Sequence, residues 1–474
     1  MVTLLMKMHK IAKLVQKIKN APAYFFITTS LVFGGVFILI TPPFQAPDEA
    51  SHFLRAYQIS EFNFSVDTIG GVTGGELPVD VKQTVLITTT NPSMEFKSNI
   101  KYDVGKTRAA LMTNEDDSKR VVMGFASTAV NSPVSYVPQV IGMTPGRLLN
   151  LPPILQLYSG RIMNLIAWTS CVALAIKLIP RKKWAMVAIG LLPMALFQAA
   201  SLSTDVAATG LSAIFITYIL HLLHKKKQLK VKQLILLLCV AILLVLSKQV
   251  MFVLLGLLFL LPNELFASRV KAYAWRLGII FTALLAFGLW LYIIRDIDPA
   301  ATFANQQDQS AQLKFMLLNP FSYINTLWNT YFFTWGDEIT RSFIGNFGWV
   351  DAPLSTFWVV FGYIELTILL LMSYKAKEWL TKNQKALVIC VFVLFWLAVS
   401  TVLYLFYNPV GYKIIVGLQG RYFIPLAILL VPLFYNKAFR LEESKYLITA
   451  RVFPVILLTA SVITVGFRYY INNV

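Results

Sequence analysis

Four ionisable side chains crowd into two helical turns just after the first apolar stretch: Asp48, Glu49, His52 and Arg55, in Pro42-Pro-Phe-Gln-Ala-Pro47-Asp-Glu-Ala-Ser-His-Phe-Leu-Arg55. Pro47 suits the first turn of a helix, and acids suit its N-terminal end. In a helix that starts there, Asp48, His52 and Arg55 stand at i, i+4 and i+7, within about 60° on one face. A carboxylate so placed could act as general base toward a sugar hydroxyl. Asp48 with His52 could instead hold a divalent metal, magnesium or manganese, that neutralises a phosphate leaving group. The plainer alternative is that Asp48 and Glu49 cap a helix and His52 is a surface side chain.

Other charges sit where apolar runs begin or end. Arg161 follows Tyr158-Ser-Gly, Asp205 follows Ser201-Leu-Ser-Thr204, and Lys248 separates two apolar runs. Glu365 lies inside one. Ionisable groups at such places are costly, so each is a candidate for a site. The alternatives are snorkelling to the interface or a paired charge that holds helices together. Two late segments, Gly345-Asn-Phe-Gly-Trp349-Val-Asp351 and Gly417-Leu-Gln419-Gly-Arg421-Tyr422, join glycines to polar and aromatic groups. Arg421 could clamp a phosphate through a bidentate contact, while Trp349 offers a face for a sugar and Asp351 an acceptor for its hydroxyls. A tight aromatic turn at the interface would use the same residues.

The elements that must position these groups follow from composition. Of 474 residues 57% are hydrophobic and only 14% charged, with mean hydropathy +0.64. Soluble domains carry about 25% charged residues, so a water-soluble enzyme is excluded. A spanning helix needs about 20 mostly apolar residues. Eleven runs qualify: 23–41, 157–179, 184–201, 204–223, 231–247, 249–262, 273–294, 353–373, 385–407, 421–435 and 447–467. The expectation is an all-α integral membrane protein with about eleven transmembrane helices. It comprises a basic cytoplasmic tail (1–22), a first span (23–41), a large outer loop (42–156), spans two to seven (157–294), a second outer region (295–352) and spans eight to eleven (353–474).

The net charge of +19 fits this arrangement better than it fits nucleic acid, because basic residues anchor cytoplasmic loops to anionic lipid. With the N-terminus inside, the cytoplasmic segments and adjoining helix ends hold more than half of the Lys and Arg. Their acids are only Glu264, Glu378, Glu442 and Glu443. The positive-inside rule predicts this asymmetry and places the C-terminus outside. His52 is then the outer histidine; His9, His221 and His224 fall in basic cytoplasmic segments. Segments 134–149 and 311–335 read as interfacial helices, since counting either as a span would send lysine-rich loops outside. Residues 60–133 read as a small, partly strand-forming lobe, with Gly70-Gly71 and Gly74-Gly75 as turn signals and Thr84–Thr88 as a β-type run. Cys171, Cys239 and Cys390 lie in apolar runs, with neither metal-ligand spacing nor a disulfide framework. The first run ends in Thr41-Pro-Pro-Phe44 without a small-x-small cleavage pattern, which reads as an uncleaved helix.

Four motifs in order carry a resemblance over roughly residues 30–470: Pro47-Asp48-Glu49-x-x-His52, Leu192-Pro193-Met194 leading to Asp205, Gly345-x-Phe-Gly-Trp349-x-Asp351, and Gln419-Gly-Arg421-Tyr422. Together they resemble a bacterial membrane family catalogued as a domain of unknown function and placed near the GT-C glycosyltransferases. The GT-C class has an acidic motif in its first outer loop, interfacial helices there, and a Pro-x-x-Tyr segment before its second helix. Ser132-Pro133-Val-Ser-Tyr136 and Arg161 resemble that arrangement. GT-C enzymes move a sugar from a polyprenyl-phosphate carrier on the outer face, with inversion. No separate soluble C-terminal domain of the kind many of them carry is expected here, a departure from the class that leaves the acceptor open.

The resemblance thus implies a glycosyltransferase of the bacterial cell membrane. Its partners would be a polyprenyl-phosphate sugar donor, a glycan or lipid-linked acceptor and membrane lipids. Asp48 would be the base, or a metal ligand assisted by Glu49 and His52. Arg161, Lys248 and Arg421 would hold donor phosphate, Trp349 and Asp351 would position a sugar, and Arg55, Asp205, Gln419 and Tyr422 would complete the substrate site. The rival readings are a transporter or flippase of a lipid-linked glycan, and a non-catalytic scaffold for envelope assembly. A flippase would need charged groups through the bilayer midplane and commonly repeated halves, and the sequence offers only Glu365 at that depth.

Overall fold

The computed structural model describes residues 21–90, 92–113, 119–297, 308–372, 379–434 and 441–471. The basic tail, apart from its last two positions, lies outside them, as do parts of the expected cytoplasmic segments 374–384 and 436–446. The described chain is mostly helical, with few strands.

Helix α1 (Pro22–Ile40) starts on a proline, whose missing N–H costs nothing at a first helical position. It ends before Pro42-Pro43, which cannot continue a helix. Then come α2 (Glu49–Ser60) and a three-stranded antiparallel sheet of β1 (Asp67–Ile69), β2 (Val72–Pro78) and β3 (Arg120–Gly124), in spatial order 1-2-3. Gly70 and Gly71, both at positive φ, form the two-residue hairpin between β1 and β2. The expected β-type run at Thr84–Thr88 is instead helical, within α3 (Val79–Thr89). Val81, Thr84 and Thr88 are buried at i, i+3 and i+7, and the Thr88 hydroxyl donates to the Thr84 carbonyl. Packing of that helical face overrides the β-branched composition. Helix α4 (Val104–Ala110) precedes β3.

Beyond the lobe run α5 (Val137–Leu148), α6 (Pro153–Leu178), α7 (Lys183–Gly190), α8 (Pro193–Ala199), α9 (Asp205–Lys225) and α10 (Val231–Ser247). A 3-10 helix (Gln249–Leu260), α11 (Arg269–Ile293), α12 (Gln309–Leu318) and α13 (Pro320–Trp328) follow. The last third holds α14 (Gly336–Ile344), the paired β4 (Asn346–Phe347) and β5 (Ala352–Pro353), α15 (Thr356–Leu371), α16 (Lys382–Tyr407), α17 (Ile424–Leu430) and α18 (Glu443–Tyr470).

Among the described residues six helices, α1, α6, α9, α11, α16 and α18, are long and apolar enough to cross a membrane. Every other expected run is helical but shorter or broken. The run 184–201 splits into α7 and α8 because Pro193 holds Leu192 extended. The run 249–262 winds as a 3-10 helix, and 421–435 begins with a 3-10 turn at Gly420–Phe423 before α17.

Helix α6 is the axis of the bundle. A Cβ at Gly34 of α1 would lie 2.4 Å from Leu165, and one at Gly142 of α5 would lie 2.4 Å from the Ser159 carbonyl. Helix α5 therefore approaches the backbone of α6 directly, while α1 makes room at Gly34 for the Leu165 side chain. Phe26, Phe37, Trp168, Phe197 and Phe215 fill the main core, while Phe53, Tyr57, Leu77, Phe125 and Tyr136 form a second core under the lobe. Leu277, Phe281, Leu285 and Leu289 on α11 and Ile389 and Leu394 on α16 face outward. Water would not favour so continuous an apolar surface; lipid does.

Candidate functional site

The turn between α1 and α2 places the acidic motif. Asp48 adopts a left-handed conformation (φ 60°) at the N-cap of α2, yet its carboxylate makes no capping hydrogen bond. A non-glycine residue in that region costs on the order of 1 kcal/mol or more. The strain directs the exposed Asp48 and the buried Glu49 to opposite environments.

Glu49 turns inward to Arg161. Arg161 Nη2 and Glu49 Oε2 are 2.6 Å apart, Arg161 Nε donates to Glu49 Oε1 at 2.8 Å, and both side chains are wholly buried. Arg161 also donates to the carbonyls of Ile38, Thr41 and Pro42, and Glu49 Oε1 accepts from the Leu202 N–H. The pair braces the end of α1, α6 and the 201–204 turn against one another. Neither side chain presents a face to solvent.

The open groups come from five segments. Asp205 begins α9, where the Ser203 hydroxyl accepts from its N–H, so its carboxylate is free for other partners. Lys248 Nζ binds Asp205 Oδ1 at 2.5 Å, and Arg421 Nε lies 3.6 Å from Asp205 Oδ2. Both cations lie over the Tyr422 ring, with Lys248 Nζ 4.7 Å and the Arg421 guanidinium carbon 5.2 Å from its centroid. His52, one turn after Asp48, is buried, and its Nδ1 is 2.9 Å from the Tyr136 hydroxyl. Burial lowers the His52 pKa against the opposing fields of Asp48 and Asp205, while Arg421 and Lys248 lower it further. Its imidazole is therefore neutral at pH 7. Beneath Arg421 a small cavity is lined by Trp168, Gln198, Asp205, Thr209 and Ile424. Arg421 Nε and Gln198 Oε1 are buried there without a hydrogen-bond partner among the described residues.

Asp48, His52, Asp205, Lys248, Arg421 and Tyr422 thus share one end of the bundle. Arg55 does not join them. Wholly buried under the lobe, it donates to the Gln58 side chain and the Phe64 carbonyl, and burial brings its pKa down to about 10. Trp349 packs its ring 5.5 Å from Phe96. Asp351 pairs with Arg468 at 2.6 Å, and Arg468 also donates to the carbonyls of Met94, Lys97 and Ile100. The sequence reading missed that latch, because an arginine near the end of an apolar helix looks like any snorkelling cation. Gln419 is half-buried, with its carbonyl accepting from the Tyr422 N–H. Glu365 is buried in α15, away from the group, and its Oε1 has no hydrogen-bond partner among the described residues. Tyr136 is the other residue missed as a site member, although its Pro-x-x-Tyr context was visible.

Among the described residues, no three His, Cys, Asp or Glu side chains gather to hold a metal ion. Asp205 is paired with two cations and Tyr136 engages His52 Nδ1, which leaves the Asp48 carboxylate and His52 Nε2 as the two donors that would hold a divalent ion.

Residues 31–430 match the family described as a predicted membrane protein (DUF2142). No curated protein and no solved structure matches the chain.

Proposed function

We propose, from the premise that the chain belongs to this family of predicted membrane proteins (DUF2142), that it is a glycosyltransferase of the bacterial cell membrane. It would span the bilayer about eleven times in a GT-C-like arrangement, with the N-terminus cytoplasmic and the Asp48 end of the bundle outside. The observation that supports this reading is an exposed, non-capping Asp48 whose field reaches Arg421, which shares Asp205 with Lys248, a cation from a distant segment. The arrangement offers a base beside a place for phosphate.

The donor is a sugar on a polyprenyl phosphate, with its lipid against the apolar helices. An acceptor hydroxyl, from a glycan or a lipid-linked saccharide, attacks the anomeric carbon opposite the phosphate. The anomeric C–O bond breaks as the new one forms, and polyprenyl phosphate leaves with the bonding electrons. Lys248 and Arg421 stabilise its charge, and Asp48 takes the hydroxyl proton. No step is assigned to a metal. Tyr422 orients the two cations through its ring face. The Glu49–Arg161 brace fixes the backbone that presents Asp48.

The test is sugar transfer in vitro from a labelled polyprenyl-phosphate donor by the full chain in lipid. Asp48→Asn should abolish turnover while leaving insertion and thermal stability intact; undiminished turnover removes Asp48 from the mechanism. One observation favours translocation of a glycolipid instead, the buried Glu365, whose Oε1 has no hydrogen-bond partner among the described residues. Glycolipid flipping in vesicles that stops in Glu365→Gln and persists in Asp48→Asn would favour that reading.

A further inference from the structure

The histidine in this cluster has one nitrogen whose partner is fixed and one whose partner is not. His52 Nδ1 and the Tyr136 hydroxyl are 2.9 Å apart and both buried, and either atom could supply the proton. A third residue decides between them. Asn131 Nδ2 lies 3.4 Å from the same hydroxyl oxygen, and an amide NH2 only donates. The hydroxyl therefore accepts from Asn131, and its own single proton must find an acceptor. Among the described residues two groups stand ready: His52 Nδ1 at 2.9 Å, and the Thr128 hydroxyl, whose own proton goes to the Ser51 or Phe125 carbonyl; the imidazole nitrogen is the stronger acceptor. Were Nδ1 protonated instead, two donors would point at one oxygen and the phenolic proton would be left to the weaker acceptor, the Thr128 hydroxyl.

We infer that Tyr136, steered by Asn131, holds His52 as its Nε2–H tautomer, so that His52 meets substrate as a hydrogen-bond donor to a phosphate oxygen, not as a base or a metal ligand. The phosphate in this statement rests on the proposed function; the tautomer does not. Asp48, Asp205, Lys248 and Arg421 are the charged groups whose fields reach the ring. A neutral donor beside Lys248 and Arg421 adds a hydrogen bond for phosphate without adding charge to a site where Asp205 already offsets one cation. The turn that carries Tyr136 is anchored accordingly. Ser132 and Ser135 donate to the carbonyls of Leu246 and Ser247, at 2.7 Å each, immediately before Lys248. One fastening thus sets both the phenol behind His52 and the lysine beside it. Tyr136 is a positioning residue.

The experiment is nitrogen NMR of the full-length protein in lipid nanodiscs with labelled histidine, the four histidines being sorted by His52→Gln. The expected result is an unprotonated Nδ1 and a protonated Nε2 at His52, changing to a mixture with protonated Nδ1 in Tyr136→Phe. A protonated Nδ1 in the wild type, or a tautomer unmoved in Tyr136→Phe, overturns the inference. Where Tyr136→Phe does not fold, the wild-type spectrum decides alone. Adding polyprenyl phosphate should shift the Nε2 signal and leave Nδ1 unprotonated. Binding that leaves Nε2 unmoved overturns the donor role and spares the transferase reading. A failure to bind, with the tautomer as stated, overturns the transferase reading and leaves the positioning role of Tyr136 standing.

Discussion

Arg161 and Glu49 meet at 2.6 Å in complete burial, although they are 112 residues apart in sequence. The guanidinium also reaches the Ile38, Thr41 and Pro42 carbonyls, which the end of α1 leaves without helical partners. Glu49 neutralises the cation that does this. Adjacent acids thereby divide their labour, Glu49 holding the fold and Asp48 standing free.

That division predicts opposite phenotypes. Removing one partner of a buried ion pair costs about 3–5 kcal/mol, because the other charge stays buried alone. Glu49→Gln and Arg161→Leu should each lower the unfolding temperature in lipid or detergent and reduce yield. Asp48→Asn, at an exposed carboxylate with no hydrogen bond to lose, should change stability by about 0.5 kcal/mol or less. Thermal melts of the three variants read this directly. Equal destabilisation by Asp48→Asn and Glu49→Gln would refute the division.

The paired cations predict a charge-geometry effect. Arg421→Lys keeps the charge but loses the planar guanidinium that reaches Asp205 and Tyr422 together. Transfer by Arg421→Lys and by Lys248→Ala should fall about 100-fold or more, as expected for a lost donor to developing charge. The fall should appear in kcat as well as KM. A change confined to KM would mean the cations bind donor in the ground state without aiding departure.

How much of this was legible in the sequence depends on what each residue must satisfy. The bundle was legible because lipid demands long apolar helices, and α1, α6 and α18 match their runs closely. The broken run at Leu192-Pro193 was written in the proline. Thr84–Thr88 misled because β-branched residues favour strands only when a sheet packs them. Within the site, the ionisable residues were visible by type, but not their pairing. Arg161 and Arg421 look alike in sequence as arginines at helix starts. Only tertiary contacts make one a brace and the other half of an open cation pair. Arg55 shared the predicted helical face with Asp48, yet Gln58 and the Phe64 carbonyl draw it under the lobe.

His52 predicts a pH dependence of stability. Its folded pKa lies below the ordinary 6.5, with burial the chief cause. Between that lowered value and 6.5 the unfolded chain binds more protons than the folded one, so stability rises with pH across this window and levels off above 6.5. His52→Gln should flatten that part of the profile. Melting temperatures of wild type and variant, measured between pH 5 and 7.5, supply the check. A wild-type profile that falls with pH in this window would contradict the burial.

The orientation of the bundle can be read from one helix. α9 has 21 residues, about 30 Å of rise, which matches the hydrocarbon thickness of a bilayer. Asp205 begins it, and Lys225, Lys226 and Lys227 end it and follow it. A lysine cluster stays on the cytoplasmic side by the positive-inside rule, so Asp205 and the residues gathered with it should face outward. Single cysteines at Phe62 and Lys226, both exposed, test this in a background without Cys171, Cys239 and Cys390. An impermeant thiol reagent added to intact cells should label position 62 and spare position 226 until the membrane is opened. The reverse pattern would put Asp48 among cytoplasmic substrates, and the envelope donor would then have no access to it.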